Sequence, residues 1–323
     1  MKKAITALVG AIAIIIIAGL LRSSGDYTRR EYMLSTMITI TADDKIAVDK
    51  SFEEIRRIEK LLSAYVEGSE VSAINFAPYG TPVKVSRETF DLLRIASDCK
   101  ALTSGAFDIT VKPLVDMWDI SGGGHVPDAE EIAGGVALVG DVVLNEDNLT
   151  VTLTKEGMKI DLGGIAKGYA GDRVREILKS EGVKSAIADL GGNIVAIGKK
   201  GKTPWKVGLQ SPTDSRGTAF ATVEAEDVCV VTSGGYERFF ESEGKTYHHI
   251  IDPRTGVNPT NDVLSVTVIS PNGTMADALS TAFFVMGKDK SIQVAEKLKI
   301  DVVIYTNEGI FTTDGLKIDY AEK

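Results

Sequence analysis

The stretch that decides the fold is Asp161-Leu162-Gly163-Gly164-Ile165-Ala166-Lys167-Gly168-Tyr169-Ala170. It follows an apolar, strand-like run, and its Gly pair opens a helix predicted over residues 166–180. Strands and helices mix around it without a regular βαβ rhythm, and hairpin-like strand pairs are frequent. The sequence therefore predicts an α+β fold with mixed or antiparallel sheets flanked by helices. Strands are predicted at 142–145, 149–154, 185–189, 204–209, 219–224 and 264–269, and a further helix at 275–286.

The chain outside this stretch contains two more helices before residue 121. Apolar residues from Phe52 to Leu62 recur at helical spacing, and a polar loop is predicted after them over residues 63–70. A second helix runs from an N-cap at Ser86 to a stop at Gly105. Residues 121–136 contain three consecutive glycines and a proline, which predicts an exposed loop.

Composition and charge limit the class of protein. The chain has 323 residues, of which 44% are hydrophobic, so it can bury a full core without disulfides or metals. Its 36 basic and 45 acidic residues give a net charge of −9. Residues 1–22 hold three of the basic residues and no acidic one, so the rest carries 33 against 45, or −12. Such an acidic surface argues against nucleic-acid binding, and a bound nucleotide would need a local cation.

The N-terminus has the pattern of a targeting or anchoring segment. Lys2-Lys3 precedes an 18-residue stretch, Ala4–Leu21, that has no charge and no polar face. We expect residues 1–22 to be a membrane anchor, or a secretory leader if cleaved, with the basic end inside. Residues 23–32 are predicted to be a tether. The body, residues 33–323, is then a single extracytoplasmic domain held at the cell membrane.

Three Gly pairs are candidate phosphate sites. Asp161-Leu162-Gly163-Gly164 recurs as Asp189-Leu190-Gly191-Gly192, and Ser233-Gly234-Gly235 is a third pair. Backbone N–H groups at the helix that follows the first pair could bind a phosphate, and Lys167 could reach the same anion. The alternative is that each pair only makes a tight turn.

An oxygen pair lies on the predicted helix near residue 280. Asp277 and Thr281 stand four residues apart, so both side chains leave the same face. A carboxylate and a hydroxyl are hard ligands suited to Mg²⁺. The alternative is that Asp277 satisfies N–H groups at the helix start while Thr281 packs.

Histidines and cysteines are scarce. His248 and His249 are predicted to face opposite sides of a strand, so one of them could act as a general base near neutral pH. Cys99 and Cys229 are the only cysteines and are predicted to be buried thiols, because two are too few for a disulfide framework or a structural zinc cluster.

Five blocks of sequence, in order, together resemble the ApbE-type flavin transferases, which are FAD:protein FMN transferases. The match spans roughly residues 33 to 320. The blocks are Leu61–Tyr65 with Ser69–Asn75, Gly105–Val111 with Pro113–Val115, Asp161–Ala170, Thr232–Arg238 leading into His249–Pro253, and Ala276–Ala282.

This resemblance implies an ApbE-like, T-fold-like catalytic domain and a reaction. Enzymes of this family bind FAD with Mg²⁺ at its diphosphate and move the FMN half onto a threonine of a partner protein, releasing AMP. The metal would offset diphosphate charge that the acidic body repels. The implied partners are flavin-accepting subunits of electron-transport complexes, such as sodium-translocating NADH:quinone reductase or its ferredoxin-oxidising relative.

The resemblance also implies roles for individual residues. Asp277, Thr281 and the backbone carbonyl of Ala166 would bind the metal, and Asp277, His249 and Lys167 would act in catalysis, His249 close to the reacting phosphate. Contacts to the flavin nucleotide are implied for Leu34, Tyr65, Ala106, Phe107, Asp108, Asp161, Lys167 and His249.

The chain departs from the family pattern in two places and follows it at Tyr65. Many relatives have a lipid-accepting Cys after the leader, and this chain has none there. The family commonly has Met-Gly-Thr where this chain has Leu34-Ser35-Thr36. Tyr65 favours transfer, because relatives with a smaller polar residue there resemble FAD hydrolases that release FMN and AMP. The alternatives to a transferase are such an FAD pyrophosphatase and a flavin-binding assembly protein without enzymatic activity.

Overall fold

The central element of the fold is an eight-stranded antiparallel sheet. The computed structural model describes residues 25–321, and its mixed helices and antiparallel sheets agree with the predicted α+β class. In order across the sheet, the strands are β1 Tyr27–Met33, β2 Thr36–Ala42, β6 Ala186–Leu190, β7 Asn193–Ile197, β11 Cys229–Gly234, β14 Val263–Ser270, β15 Asp301–Thr306 and β16 Gly309–Thr312.

Three smaller sheets surround the central one. One has the order β17 Asp319–Tyr320, β10 Ala219–Ala225, β9 Thr203–Gln210 and β8 Lys199–Lys200. Another has the order β3 Val83–Lys84, β5 Thr150–Leu153 and β4 Val142–Asn145. The third is a hairpin of β12 Phe239–Ser242 and β13 Lys245–His248.

Eight helices and one short 3₁₀ turn occur in the described part of the chain. They are α1 Lys45–Leu62, α2 Glu70–Phe76, α3 Arg87–Leu102, the 3₁₀ turn Ile109–Val111, α4 Lys112–Trp118, α5 Ala129–Leu138, α6 Ala166–Ser180, α7 Gly273–Met286 and α8 Lys288–Leu298. The Ser86 side chain accepts from the backbone N of Thr89 and caps α3, as predicted.

The central sheet is covered on both faces. Along β7, Val195 and Ile197 belong to the large core that includes the helices, whereas Ile194 and Ala196 belong to a second core with residues of β9 and β10. Successive side chains of a strand point to opposite faces, so the helices lie on one side and the small sheet on the other. This arrangement places α6 and α7 together on the helical face.

Two predictions about irregular segments are wrong in part. The tether predicted over residues 23–32 fails from Tyr27 onward, because β1 pairs along its whole length with β2. The loop predicted over residues 121–136 fails from Ala129 onward, where α5 begins. Asp128 accepts from the backbone N of Glu131, and the Glu131 side chain accepts from the backbone N of Asp128, which is a capping box that stabilises a helix start.

Two elements near the site also differ from the prediction. The polar loop expected over residues 63–70 ends at Ser69, because its hydroxyl caps α2, a helix that was not predicted. His249 lies just beyond the end of β13, so it is not part of the strand.

The structure tests the prediction for the two cysteines but not the prediction of an N-terminal anchor. Residues 1–22 lie outside the described residues, and none of the helices within residues 25–321 has the length and apolarity to cross a membrane. Cys99 and Cys229 are buried free thiols, as predicted.

Candidate functional site

The site is built on a close contact between α6 and α7. A Cβ at Gly168 of α6 would clash with the backbone O of Gly273 and would lie 2.6 Å from Cβ of Asp277. Only glycine allows the two helices to approach this closely. The N-terminal turn of α6 therefore rests directly on the segment of α7 that carries Asp277.

The carboxylate of Asp277 is held by the first turn of α6. Its Oδ2 accepts from the backbone N of Gly168 at 2.8 Å, and its Oδ1 lies 3.5 Å from Nζ of Lys167. The residue is only 2% exposed. The structure thus brings together Asp277 and Lys167, two of the three residues implied to be catalytic.

Thr281 lies one turn further along α7, in a small cluster of hydroxyl groups. Its Oγ1 is 3.4 Å from Oγ of Ser233, which in turn is 2.8 Å from Oγ of Ser280. A Cβ at Gly164 would lie 3.6 Å from Oγ1 of Thr281 and 3.1 Å from Cε2 of Phe107. The first Gly pair therefore packs over Thr281 and Phe107.

The donor set at this place fits a hard divalent cation. Asp277 offers a carboxylate, Thr281 a hydroxyl, and Ala166, the first residue of α6, a backbone carbonyl. Oxygen ligands with one carboxylate are the kind that Mg²⁺ takes when substrate phosphates complete its coordination. Within residues 25–321 no group of three or more His, Cys, Asp or Glu residues could hold a metal ion.

Asp161 ties the first Gly pair to Tyr65. Its Oδ1 accepts from the backbone N of Gly163 at 2.6 Å. Loss of water at the Tyr65 hydroxyl, followed by the negative charges of Asp161 and Asp116, raises the pKa of Tyr65. The tyrosine as a whole remains 70% exposed. Its hydroxyl end is therefore close to Asp161, while much of its ring is open to solvent.

A buried lysine lies against the Tyr65 ring. Lys112 Nζ is 4.3 Å from the ring centroid and 2.5 Å from Oδ1 of Asp116. Such a cation–π contact fixes the orientation of an otherwise exposed ring. Tyr65 is thus presented as a flat aromatic surface beside Asp161, which is suited to stacking on a flavin or adenine ring.

The carboxylate of Asp108 has a structural role. Its Oδ1 accepts from the backbone N and the hydroxyl of Thr110, and its Oδ2 lies 2.9 Å from Nζ of Lys100. Both oxygens of this buried group are occupied, so it caps the 3₁₀ turn. A nucleotide contact from Ala106-Phe107-Asp108 would have to come from the backbone or from the Phe107 ring.

His249 stands beside two cations. Loss of water in the site, followed by the positive charge of Arg238, lowers the pKa of His249 to about 3, and Lys167 acts in the same direction. The Nδ1 of His249 lies 3.3 Å from the backbone O of Arg238. A carbonyl can only accept, so Nδ1 carries the proton and Nε2 is left as an acceptor.

His248, the other histidine of the pair, is structural. Its ring packs edge-on against Phe284, with 5.3 Å between centroids, and its Nδ1 lies 3.2 Å from Nδ2 of Asn258. Loss of water lowers its pKa to about 4. The ring is therefore a neutral packing element at neutral pH.

Leu34 and Ser35 form the two-residue turn between β1 and β2. Both have positive φ, 51° and 58°. The backbone N of Leu34 donates to Oε1 of Glu59 at 2.8 Å. The family's glycine at position 35 fits this left-handed conformation without strain, and here Ser35 adopts it. The Leu34 side chain is partly buried and packs against the large core.

Sequence reasoning missed three residues that border the site. Ser233 and Ser280 bond to each other beside Thr281, and Arg238 lies opposite His249. Ser233 and Arg238 belong to one of the five blocks, and Ser280 adjoins Thr281 in another. Their presence in those blocks was the only available signal. The serine contacts join residues 47 or 48 positions apart, and Arg238 and His249 are 11 positions apart.

Comparison with known proteins identifies the family of the chain. The sequence profile described as the ApbE family matches residues 34–304. A protein of Klebsiella pneumoniae (strain 342) named FAD:protein FMN transferase is 37% identical over 274 residues, which are 84% of this chain and 85% of the relative. One of Treponema pallidum (strain Nichols) with the same name is 35% identical over 291 residues, 82% of this chain and 80% of the relative.

Two solved structures share the fold. The ApbE protein from Thermotoga maritima MSB8 superposes with a TM-score of 0.83 at 37% identity, covering 90% of this chain and 97% of that one. The flavin transferase ApbE from Vibrio cholerae superposes with a TM-score of 0.80 at 28% identity, again covering 90% and 97%.

Proposed function

The chain belongs to the ApbE family of flavin transferases, and we propose that it moves the FMN half of FAD onto a threonine of a partner protein, releasing AMP, with Mg²⁺ as its metal. The observation that carries the proposal is the contact between the first turn of α6 and Asp277. It gathers a helix N-terminus, a lysine and a buried carboxylate at one point. That combination suits a metal-bound diphosphate.

Asp277, Thr281 and the Ala166 carbonyl would hold the metal. Bound there, Mg²⁺ would neutralise diphosphate charge and favour the departure of AMP. The positive end of α6 and Lys167 add further positive potential at the same point. The net charge of −12 on residues 23–323 would otherwise repel the substrate.

Tyr65 and Phe107 would orient the flavin nucleotide. Tyr65 presents its ring beside Asp161, and the buried Phe107 ring lies next to Gly164, which also borders Thr281. Aromatic rings anchored in this way bind a planar ring system with little loss of side-chain freedom. Fixed orientation is the main protein contribution that transfer of a phosphoryl group requires.

His249 would take the proton in the transfer step. The threonine oxygen forms a bond to the phosphorus of the FMN half, and the bond from that phosphorus to the AMP oxygen breaks, with its electron pair leaving on AMP. The hydroxyl proton passes to Nε2 of His249. The imidazole is neutral and its Nδ1 is occupied by the Arg238 carbonyl, so Nε2 is free to accept. A bound diphosphate would raise the low pKa of this histidine.

The partner and the location are part of the same proposal. We propose flavin-accepting subunits of electron-transport complexes as the partners, by family resemblance. We also propose that residues 1–22 anchor a catalytic domain, residues 33–323, on the outer side of the cell membrane. The apolar stretch Ala4–Leu21 after Lys2-Lys3 supports this location.

Intact-mass spectrometry tests the proposal. The full chain, purified in detergent, is incubated with FAD, Mg²⁺ and a threonine-containing acceptor domain, with Asp277→Ala and an acceptor Thr→Val variant as controls. We expect the acceptor to gain one FMN unit minus water, and both controls to abolish the gain. AMP and free FMN without a gain would indicate an FAD pyrophosphatase. FAD binding without either product would indicate a non-enzymatic flavin-binding protein.

A further inference from the structure

An arginine that the family resemblance assigns no role lies across from His249. The backbone N of His249 donates to the backbone O of Arg238 at 3.0 Å, which continues by one residue the pairing of Phe239 with His248 in the β12–β13 hairpin. Directly opposed residues of an antiparallel pair place their side chains on the same face. Arg238 and His249 therefore point to the same side of the hairpin.

The positive charge of Arg238 acts on two residues of the candidate site, Tyr65 and His249. It opposes the rise in the pKa of the Tyr65 hydroxyl, which loss of water and Asp161 cause, and it contributes to the low pKa of His249. Tyr65 and His249 belong to different segments, and Arg238 is close enough to both for its charge to act on each of them. It thus borders the space that the FAD nucleotide would occupy.

Arg238 differs from the other cation of the site in having no partner. Lys167 lies 3.5 Å from Asp277, which neutralises it in part. Within residues 25–321 the exposed side chain of Arg238 forms no ion pair and no hydrogen bond, whereas the neighbouring Arg216 pairs with Glu237. An exposed guanidinium that is unpaired within the described residues and lies across from His249 is free to receive an anion.

We propose that Arg238 binds the diphosphate of FAD directly, as a substrate-binding residue opposite the metal ligands. This inference rests on the proposed use of FAD. The guanidinium offers two parallel N–H donors to phosphate oxygens, and its position beside His249 puts it on the side where the proton moves. The guanidinium of Arg238 would pair with phosphate oxygens that the metal does not bind.

Binding of FAD and of riboflavin separates this role from a general effect on the site. Dissociation constants are measured by flavin fluorescence with Mg²⁺ for the wild type, Arg238→Gln and Arg238→Lys. Riboflavin has the same ring but no phosphate. We expect Arg238→Gln to weaken FAD binding about tenfold or more, the size of one charge-assisted hydrogen-bonded pair, and to leave riboflavin binding unchanged. Arg238→Lys should fall between the two proteins.

Arg94→Gln is the matched control. Arg94 is an exposed arginine of α3 paired with Asp91, so the substitution removes the same charge away from the site. It should leave FAD binding unchanged. Equal losses for FAD and riboflavin in Arg238→Gln, or unchanged FAD binding, would overturn the inference.

Two further results separate this inference from the proposed function. A rise only in the concentration of acceptor protein needed for half-maximal transfer would mean that Arg238 binds carboxylates of the acceptor, and would also overturn the inference. A wild-type protein that does not bind FAD would overturn the proposed function together with it.

Discussion

Two identical tetrapeptides, Asp161-Leu162-Gly163-Gly164 and Asp189-Leu190-Gly191-Gly192, make related turns with different consequences. In each turn the Asp side chain accepts from the backbone N of the residue two positions later, at 2.6 Å for Gly163 and 2.9 Å for Gly191. The first turn leads into α6 and the site. The second joins β6 to β7 as a hairpin.

The backbone after the aspartate explains the difference. Gly191 and Gly192 both have positive φ, 71° and 94°, which closes a two-residue hairpin. Gly163 and Gly164 are not among the glycines with positive φ, so the chain can continue into a helix. The tetrapeptide therefore forms a turn in both places. The conformation of its two glycines decides whether the chain continues into a hairpin or into the helix of the candidate site.

The carboxylates of Asp161 and Asp189 differ in burial. Asp189 is only 6% exposed, and loss of water raises its pKa to about 6, although the backbone N groups of Gly192 and Gly191 oppose the rise. Asp161 is partly exposed, and its negative charge contributes to the raised pKa of Tyr65. We therefore expect substitutions around the first turn to change activity, and substitutions around the second to change stability.

Asp277→Asn should have the largest effect, because the Asp277 carboxylate is held by the helix that follows the first turn. Asparagine can still accept from Gly168 but lacks the charge for the metal, so the rate of AMP release should fall about 10³-fold, or about 4 kcal/mol of transition-state stabilisation. Asp189→Asn is the control and should keep the rate within about twofold. A rate above a tenth of wild type in Asp277→Asn would contradict the assignment of the metal site.

Asp189→Asn should instead remove a pH dependence of stability. A carboxyl whose pKa rises from 3.8 to about 6 on folding contributes stability at low pH, which is lost as the pH rises through about 6. Relative to the variant, the wild type should lose about 3 kcal/mol of unfolding free energy between pH 3.5 and 7.5. Urea unfolding across this range measures it. If the difference in unfolding free energy between the wild type and the variant stayed constant across this pH range, Asp189 would not be held in a low-dielectric environment.

Gly168→Ala tests the close packing of α6 on α7. Its Cβ would clash with the backbone of Gly273, so α6 must move away from α7, at a cost of about 1–3 kcal/mol in unfolding free energy. Gly134→Ala in α5 is the matched control, since its Cβ meets nothing within 4 Å and alanine stabilises a helix by about 0.5–1 kcal/mol. Denaturant titration should give opposite signs. The same sign for both variants would refute the close contact.

Asp161→Asn should have the smallest effect. The amide oxygen can still accept from Gly163, so the turn and the stability should persist. The loss of a carboxylate that would accept from N–H groups of the flavin nucleotide should weaken FAD binding about tenfold. Fluorescence titration with FAD measures the change. If Asp161→Asn alters stability while leaving FAD binding intact, the two turns have the same role and the contrast between them fails.

The sequence predicted the elements whose signals are local. Helix α6 was predicted over residues 166–180, and it is observed at Ala166–Ser180, because its Gly pair and apolar spacing are local features. Strand β1 was taken for a tether because Arg29, Arg30 and Glu31 are polar. It is an edge strand whose side chains alternate between part-buried and exposed, so polar residues are compatible with pairing.

The site was only partly predictable, for a physical reason. The Asp277 and Lys167 pairing and the position of Tyr65 beside Asp161 join residues implied by the resemblance. The use of both Asp108 oxygens by Lys100 and Thr110, and the exposed charge of Arg238 opposite His249, depend on contacts in the folded chain. Such contacts leave no periodic pattern in the sequence.

We propose above all that the first turn and α7 together form a metal site for the FAD diphosphate. Anomalous X-ray scattering from Mn²⁺, in crystals of the protein grown with FAD, can locate this site, because manganese takes the same hard oxygen ligands as magnesium. We expect one strong peak within coordination distance of Asp277, Thr281 and the Ala166 carbonyl, adjacent to the FAD phosphates. A peak elsewhere, such as at the Asp189 turn, or FAD bound without Mn²⁺ at Asp277, would contradict it.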